Sequence, residues 1–165
     1  MYNSERMDAD MKPLSRRFIL RAGIYGTAGF IFAPSLVAQA SALASVKMFK
    51  SPWCGCCGAW AEHMQEAGFQ IDVTELEDLE PIKRQLGVPT NLQSCHTAIV
   101  DNYVIEGHVP ADEVKRLLRK SPKGRGLAVP GMPVGSPGME MDDQVDSYQV
   151  ILFGKDSQRV FAEYS

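Results

Sequence analysis

Three cysteines fall within four positions at Cys54-Gly55-Cys56-Cys57, inside the stretch SPWCGCCGAW. Structural zinc sites usually pair cysteines two to four residues apart and draw their other ligands from a second segment, so one tetrahedral ion does not explain thiols this dense. One disulfide does not explain them either. Cys54 and Cys57 have the C-x-x-C spacing of a redox pair, which leaves Cys56 as a surplus thiol. The fourth cysteine, Cys95, is followed directly by His96. Thiolates are soft ligands and select Cu(I), Zn or iron–sulfur clusters. The tight spacing favours bridging thiolates in a site for more than one Cu(I), because adjacent sulfurs chelate one ion poorly but can each span two. Met132, Met139 and Met141 would add thioethers, which suit Cu(I) and not zinc. Copper is the metal these residues favour, with zinc as the alternative in a stabilised interaction module. Pure thiol chemistry is the other reading: a Cys54–Cys57 disulfide, Cys54 attacking and Cys57 resolving, with Cys56 idle or paired to Cys95.

Placing such groups together requires a frame. Val46 to Lys50 alternates apolar and polar residues and predicts a strand that runs into the cysteines. Trp60, Ala61, Met64 and Ala67 then follow helical spacing up to Gly68, which sets the cysteines at a strand-to-helix junction. A helix N-terminus carries partial positive charge and free N–H groups, so thiolates are expected to be favoured there. QIDVTE predicts a second strand, and DLEPIKRQLG a helix with Leu79, Ile82 and Leu86 on one face and Gly87 at its end. CHTAIVD and YVIEG read as a tight hairpin through Asn102, and PADEVKRLLRK as a helix burying Val114, Leu117 and Leu118. The order β-α-β-α-β-β-α, with cysteines at the start of the first helix, is that of a thioredoxin-like α/β fold. In that fold the loop carrying Cys95-His96 faces the first helix and adds a thiol and an imidazole to the cluster. GRGLAVPGMPVGSPGMEM is too rich in Gly and Pro to be regular and too apolar for a solvated linker, so it predicts an ordered loop packed on the domain. YQVILF and RVFAEY predict a terminal hairpin.

The stretches KSPWCGCCGAWAEHM, GVPTNLQSCHTAIVDNYVIEGHVPADEV and GLAVPGMPVGSPGME together resemble the CopG-type family of exported bacterial proteins associated with copper resistance. The resemblance spans most of residues 46 to 141. It implies a thioredoxin-like fold and a cuprous cluster held by Cys54, Cys56, Cys57 and Cys95, with His96, Met132 and Met139 as further ligands. It also implies a role in handling periplasmic copper, by sequestering, relaying or changing the redox state of Cu(I), together with other copper-handling proteins of that compartment.

Other residues have plainer explanations. Trp53, Trp60, Met48 and Met64 fit packing. His63 lies seven helical positions beyond Cys56, about 10 Å along the axis, and is expected at the surface. His108 is expected as an exposed loop residue rather than a group supporting the metal. Asp142, Asp143 and Asp146 fit a solvated turn, since a hard cation needs more oxygen ligands than they supply.

The N-terminus carries a different signal. Ser15-Arg16-Arg17 leads into an uncharged Gly- and Ala-rich stretch from Ala22 to Ala38, which resembles a twin-arginine export signal. AQA (Ala38 to Ala40) and ALA (Ala42 to Ala44) are acceptable cleavage sites, so residues 1–44 are expected to be removed near residue 40 or 44, leaving 45–165 as the metal-binding domain. Removal takes five of the 17 basic and three of the 20 acidic residues and leaves a net charge of −5. That balance argues against nucleic acid as a partner, and no later segment has the ~20 apolar residues of a membrane span. A thiol cluster in an oxidising compartment forms disulfides unless something occupies it. Replacing Arg16 and Arg17 with Lys is expected to leave a cytoplasmic precursor in cell fractionation; normal periplasmic accumulation of that variant would refute the export signal.

Overall fold

The computed structural model describes residues 44–165, and the predicted export signal lies outside them. The elements are β1 (Ser45–Lys50), α1 (Gly55–Glu66), β2 (Gln70–Glu75), α2 (Glu80–Leu86), a 3-10 turn (Thr90–Leu92), β3 (His96–Val100), β4 (Tyr103–Glu106), α3 (Ala111–Lys120), β5 (Gly126–Ala128), β6 (Tyr148–Phe153) and β7 (Gln158–Tyr164). As far as α3 this is the expected element order. All seven strands join one sheet in the order β2-β1-β3-β4-β5-β6-β7. β1 runs parallel to β2 and antiparallel to β3, and β3 and β4 form the predicted hairpin. Among the described residues no helix is long and apolar enough to cross a membrane.

Helix α1 forms because its apolar residues share one face: Cys57, Trp60, Ala61 and Met64 are all buried. They pack with Val46, Met48, Ala98, Val100 and Ile105 of the sheet in the main core. The helix ends as expected at Gly68, whose φ of 97° is natural only for glycine. Its N–H bonds Gln65 O, and Phe69 N–H bonds Met64 O, which satisfies the last carbonyls. On α3 the buried residues are Ala111, Val114 and Leu117, with Leu118 half-buried.

Two features differ from the sequence expectation. The Gly/Pro-rich segment is not wholly irregular, because Gly126–Ala128 is a strand pairing parallel to β4 and antiparallel to β6. A Cβ on Gly126 would sit 1.7 Å from the carbonyl oxygen of Val104, so only glycine lets the two backbones close. Through β5 the terminal hairpin becomes a continuation of the central sheet. The second difference is on α2, where Leu79, Ile82 and Leu86 are only half-buried and Lys83 is the buried residue. Its ammonium lies 2.5 Å from the Glu106 carboxylate on β4. Burial pushes that carboxyl above the usual carboxylate range, against the opposing pull of Lys83 and of hydrogen bonds from Lys83, Thr97 and Ser94.

Glycines therefore divide into required and replaceable ones. Gly126→Ala is expected to lower stability by more than about 2 kcal/mol through strand separation. Gly58 lies inside α1, and a Cβ there would meet nothing within 4 Å. Gly58→Ala is expected to raise stability by about 0.5–1 kcal/mol. Urea denaturation of the two variants checks both, and a neutral Gly126→Ala would contradict the β4–β5 contact.

Candidate metal centre

β1 delivers the chain to the cysteines through a turn closed by Cys54 N–H donating to Ser51 O at 3.1 Å. Cys54 is the N-cap of α1, in extended conformation, and Gly55, Cys56 and Cys57 form the first helical turn. Helical geometry turns Cys57 into the core while Cys54 and Cys56 stay half-buried at the rim. Cys54 and Cys57 are joined in a disulfide. Cys56 and Cys95 are free. The outer pair thus forms the C-x-x-C bridge weighed in the thiol reading, and the surplus Cys56 Sγ lies 3.5 Å from Cys54 Sγ.

The hairpin brings the second half of the site. β3 begins at His96, so Cys95 sits at its mouth, and Cys57 Sγ lies 3.9 Å from Cys95 O. The four sulfurs all fall within 4.8 Å of one another. Cys95, His96 and His108 form a second group within the same limit, so Cys95 belongs to both. Four sulfurs and two imidazoles are one continuous set.

His108 is the residue the sequence expectation misplaced. It is not an exposed loop group; it is fully buried. Its Nδ1 lies 2.8 Å from Pro137 O. A carbonyl only accepts, so Nδ1 carries the proton and Nε2 keeps its lone pair. That Nε2 lies 3.0 Å from Cys95 Sγ. Burial lowers the His108 pKa, although the Pro137 hydrogen bond and Glu140 pull the other way. A neutral imidazole with a fixed tautomer and a free Nε2 is the usual form of a metal-ligating histidine. The signal was present in the turn. Val100 pairs with Tyr103 and Thr97 with Glu106, so continuing outward sets Cys95 opposite His108.

His96 joins the cluster as expected, with Nδ1 3.4 Å from Cys95 Sγ. It is fully buried against Trp60, ring centroids 4.5 Å apart, and at 5.1 Å from His108. Burial holds its pKa well below the usual value, with His108 and Lys83 adding to the shift. His96 Nε2 has no hydrogen-bond partner among the described residues. An unpaired buried polar atom costs about 1–3 kcal/mol, and a bound cation or its ligand would relieve it. Trp60 braces the same corner by donating its indole N–H to Val109 O at 2.9 Å.

The expectation that the helix start favours thiolates does not extend to Cys95. Burial, helped by nearby Cys56, pushes its pKa up to about 12. Cys95 is therefore a neutral thiol here, and its S–H donates to His108 Nε2. His63 is also not a simple surface residue: it is half-buried, and its Nε2 accepts the Ala111 N–H at the start of α3. It links two helices and stands apart from the cluster. Among the methionines, Met132 and Met141 are exposed and Met139 is half-buried. Their loop is packed as predicted, because a Cβ on Gly138 would lie 2.8 Å from Cys56 O. Met48 and Met64 are core, while Trp53, next in sequence to Cys54, is 77% exposed and not part of the core.

Comparison with solved structures decides the family. Two forms of the copper resistance protein CopG match with 40% and 41% identity, covering 74% of this chain and 99% and 98% of theirs, at TM-scores of 0.72 and 0.71. The chain belongs to the CopG family of copper resistance proteins. A family model described as a protein of unknown function, DUF411, matches residues 92–139 of this CopG-family chain, the part that carries Cys95, His96 and His108. No curated protein matches it.

The raised Cys95 pKa has a direct consequence. Cys56→Ser leaves Cys95 as the sole free thiol beside the intact disulfide, and burial, the main cause of its shift, remains. Iodoacetamide alkylation of that variant is expected to be slow at pH 8 and still rising at about pH 10, well beyond the ordinary thiol range. A pH midpoint near the usual thiol value would contradict the half-buried, His108-bound thiol.

Proposed function

We propose that this CopG-family protein binds Cu(I) ions as cargo at the Cys54/Cys56/Cys57/Cys95 cluster, with His108 and His96 completing the donor set, in periplasmic copper resistance. The observation that carries the reading is the donor set itself: four sulfurs and two buried imidazoles, with no carboxylate in either group. Soft sulfur and imidazole donors suit cuprous ions, and the tight sulfur spacing suits thiolates shared between ions. The structures it matches are copper resistance proteins. The strand order 2-1-3-4 with helices between supports the thioredoxin-like reading of β1 to α3. Export by the twin-arginine route is part of the proposal and rests on Ser15-Arg16-Arg17.

Loading requires reduction. A dithiol donor supplies two electrons and two protons, which convert the Cys54–Cys57 disulfide into two thiols while the donor becomes a disulfide. Each thiol then gives up its proton on binding copper, so uptake releases protons and weakens as pH falls. His108 holds its lone pair toward the site through its Pro137 hydrogen bond, and His96 offers a buried nitrogen. Met139 and Met132 lie on the packed loop as candidate thioether donors and contact points for copper-handling partners.

The disulfide supports a second reading, a thiol–disulfide oxidoreductase using Cys54 and Cys57. Anaerobic Cu(I) titration after reduction separates the two. The copper reading expects more than one equivalent per chain, a lower stoichiometry in Cys56→Ser, and at least about a tenfold loss of affinity in Cys95→Ser. His108→Ala is expected to cost more than Met132→Ala. Zinc retained in preference to Cu(I) would point to a structural module, and protein-disulfide turnover that survives loss of Cys56 and Cys95 would favour the oxidoreductase.

A further inference from the structure

The buried ion pair between Lys83 and Glu106 has no part in the donor set, yet its hydrogen bonds converge on the segment that carries Cys95. The Glu106 Oε1 accepts the Ser94 backbone N–H at 2.7 Å as well as Lys83 Nζ at 2.5 Å. Its Oε2 accepts the Thr97 hydroxyl at 2.6 Å. Lys83 Nζ also donates to Thr97 Oγ1 at 2.9 Å. One carboxylate therefore grips the residues on both sides of Cys95-His96. Two further bonds continue the hold: Gly107 N–H donates to His96 O, and Ser94 Oγ donates to Gly131 O in the methionine-bearing loop.

Stability alone does not account for such a pair. The side chains of Lys83 and Glu106 are 5% and 0% exposed. Desolvating two charges costs several kcal/mol each, and well-packed apolar residues in place of a buried pair are often neutral or stabilising. Apolar residues would not supply an acceptor for the Ser94 N–H. A loop just before a strand has few other ways to fix its backbone, and a charged acceptor gives shorter, stronger bonds than a neutral one. Cys95 Sγ must keep its place against both His108 Nε2 and the three sulfurs of α1, and small displacements of a ligand are costly.

We propose that Glu106, charge-balanced by Lys83, is a positioning residue that holds the Ser94–Thr97 segment so that the Cys95 sulfur stays between α1 and His108. It touches no metal and acts through Ser94 and Thr97. The copper part of the test rests on the function proposed above; the thiol part does not.

The experiment compares the full chain with two variants, Lys83→Met/Glu106→Leu and Thr97→Val. The double variant removes the charges and the grip together, whereas Thr97→Val keeps the ion pair and loses one of the two anchors. Three quantities are read: the urea midpoint, the rate of Cys95 alkylation at pH 8 in metal-free protein, resolved by mass spectrometry, and Cu(I) affinity by competition with a chromophoric chelator. The double variant is expected to stay folded with a urea-midpoint shift too small to account for the change, to alkylate Cys95 at least about tenfold faster and to bind Cu(I) at least about tenfold more weakly. Thr97→Val is expected to shift Cys95 alkylation in the same direction by a smaller factor, and it decides the matter if the double variant fails to fold. A stable variant with unchanged Cys95 alkylation overturns the proposal, as does a loss of stability that accounts for the whole rise in alkylation. If the wild type binds no Cu(I), the copper reading falls and the alkylation rates alone decide the role of Glu106.

Discussion

The site depends first on the register of the β3–β4 hairpin. Asp101 and Asn102 make a two-residue turn, with Asp101 at a φ of 50°, a left-handed conformation that Asp tolerates better than most residues. From that turn the pairing runs Val100 with Tyr103 and Thr97 with Glu106. A slip of one residue would send every side chain to the opposite face. Cys95 and His108 would part, the Glu106 carboxylate would leave Ser94, and the Trp60 indole would lose its place above His96. Chemistry assembled from two strands and a helix is thus set by a turn far from the sulfurs.

The second requirement is a dry wall. Cys57, Trp60 and Met64 seat α1 on the sheet, and His96 and His108 fill the corner they leave. This setting holds both imidazoles neutral and Cys95 protonated, because charge is costly where water is absent. A thiol in this setting would exchange its proton for a soft cation, while the neutral imidazoles would offer lone pairs without losing a proton.

What the sequence made legible follows from how local each signal was. The cysteine cluster, the strand-to-helix junction and the early element order come from short-range periodicity and turn residues, and the structure has them where expected. Cys95-His96 meets the cluster because the element order implied it. His108 was hidden because its burial depends on counting hairpin register through two strands. Lys83 was hidden because a lysine on an amphipathic helix ordinarily faces water, and only the facing Glu106 makes its burial tolerable. β5 was hidden by its own composition: the glycine that argues against a strand is the residue that lets this one form. The state of Cys95 was misjudged because a helix-dipole argument was applied to a thiol arriving from another strand.

Joining the terminal hairpin to the sheet through β5 has a consequence for encounters between molecules. β3 and β4 are interior strands, paired on both sides, and the open edges are β2 and β7. Those edges carry charged residues, Asp72 and Glu75 on β2 and Arg159 and Glu163 on β7, which discourage a neighbouring chain from adding a strand. Among the described residues, a strand added from another molecule would have to pair with one of these charged edges and not with the β3–β4 hairpin that carries Cys95 and His108.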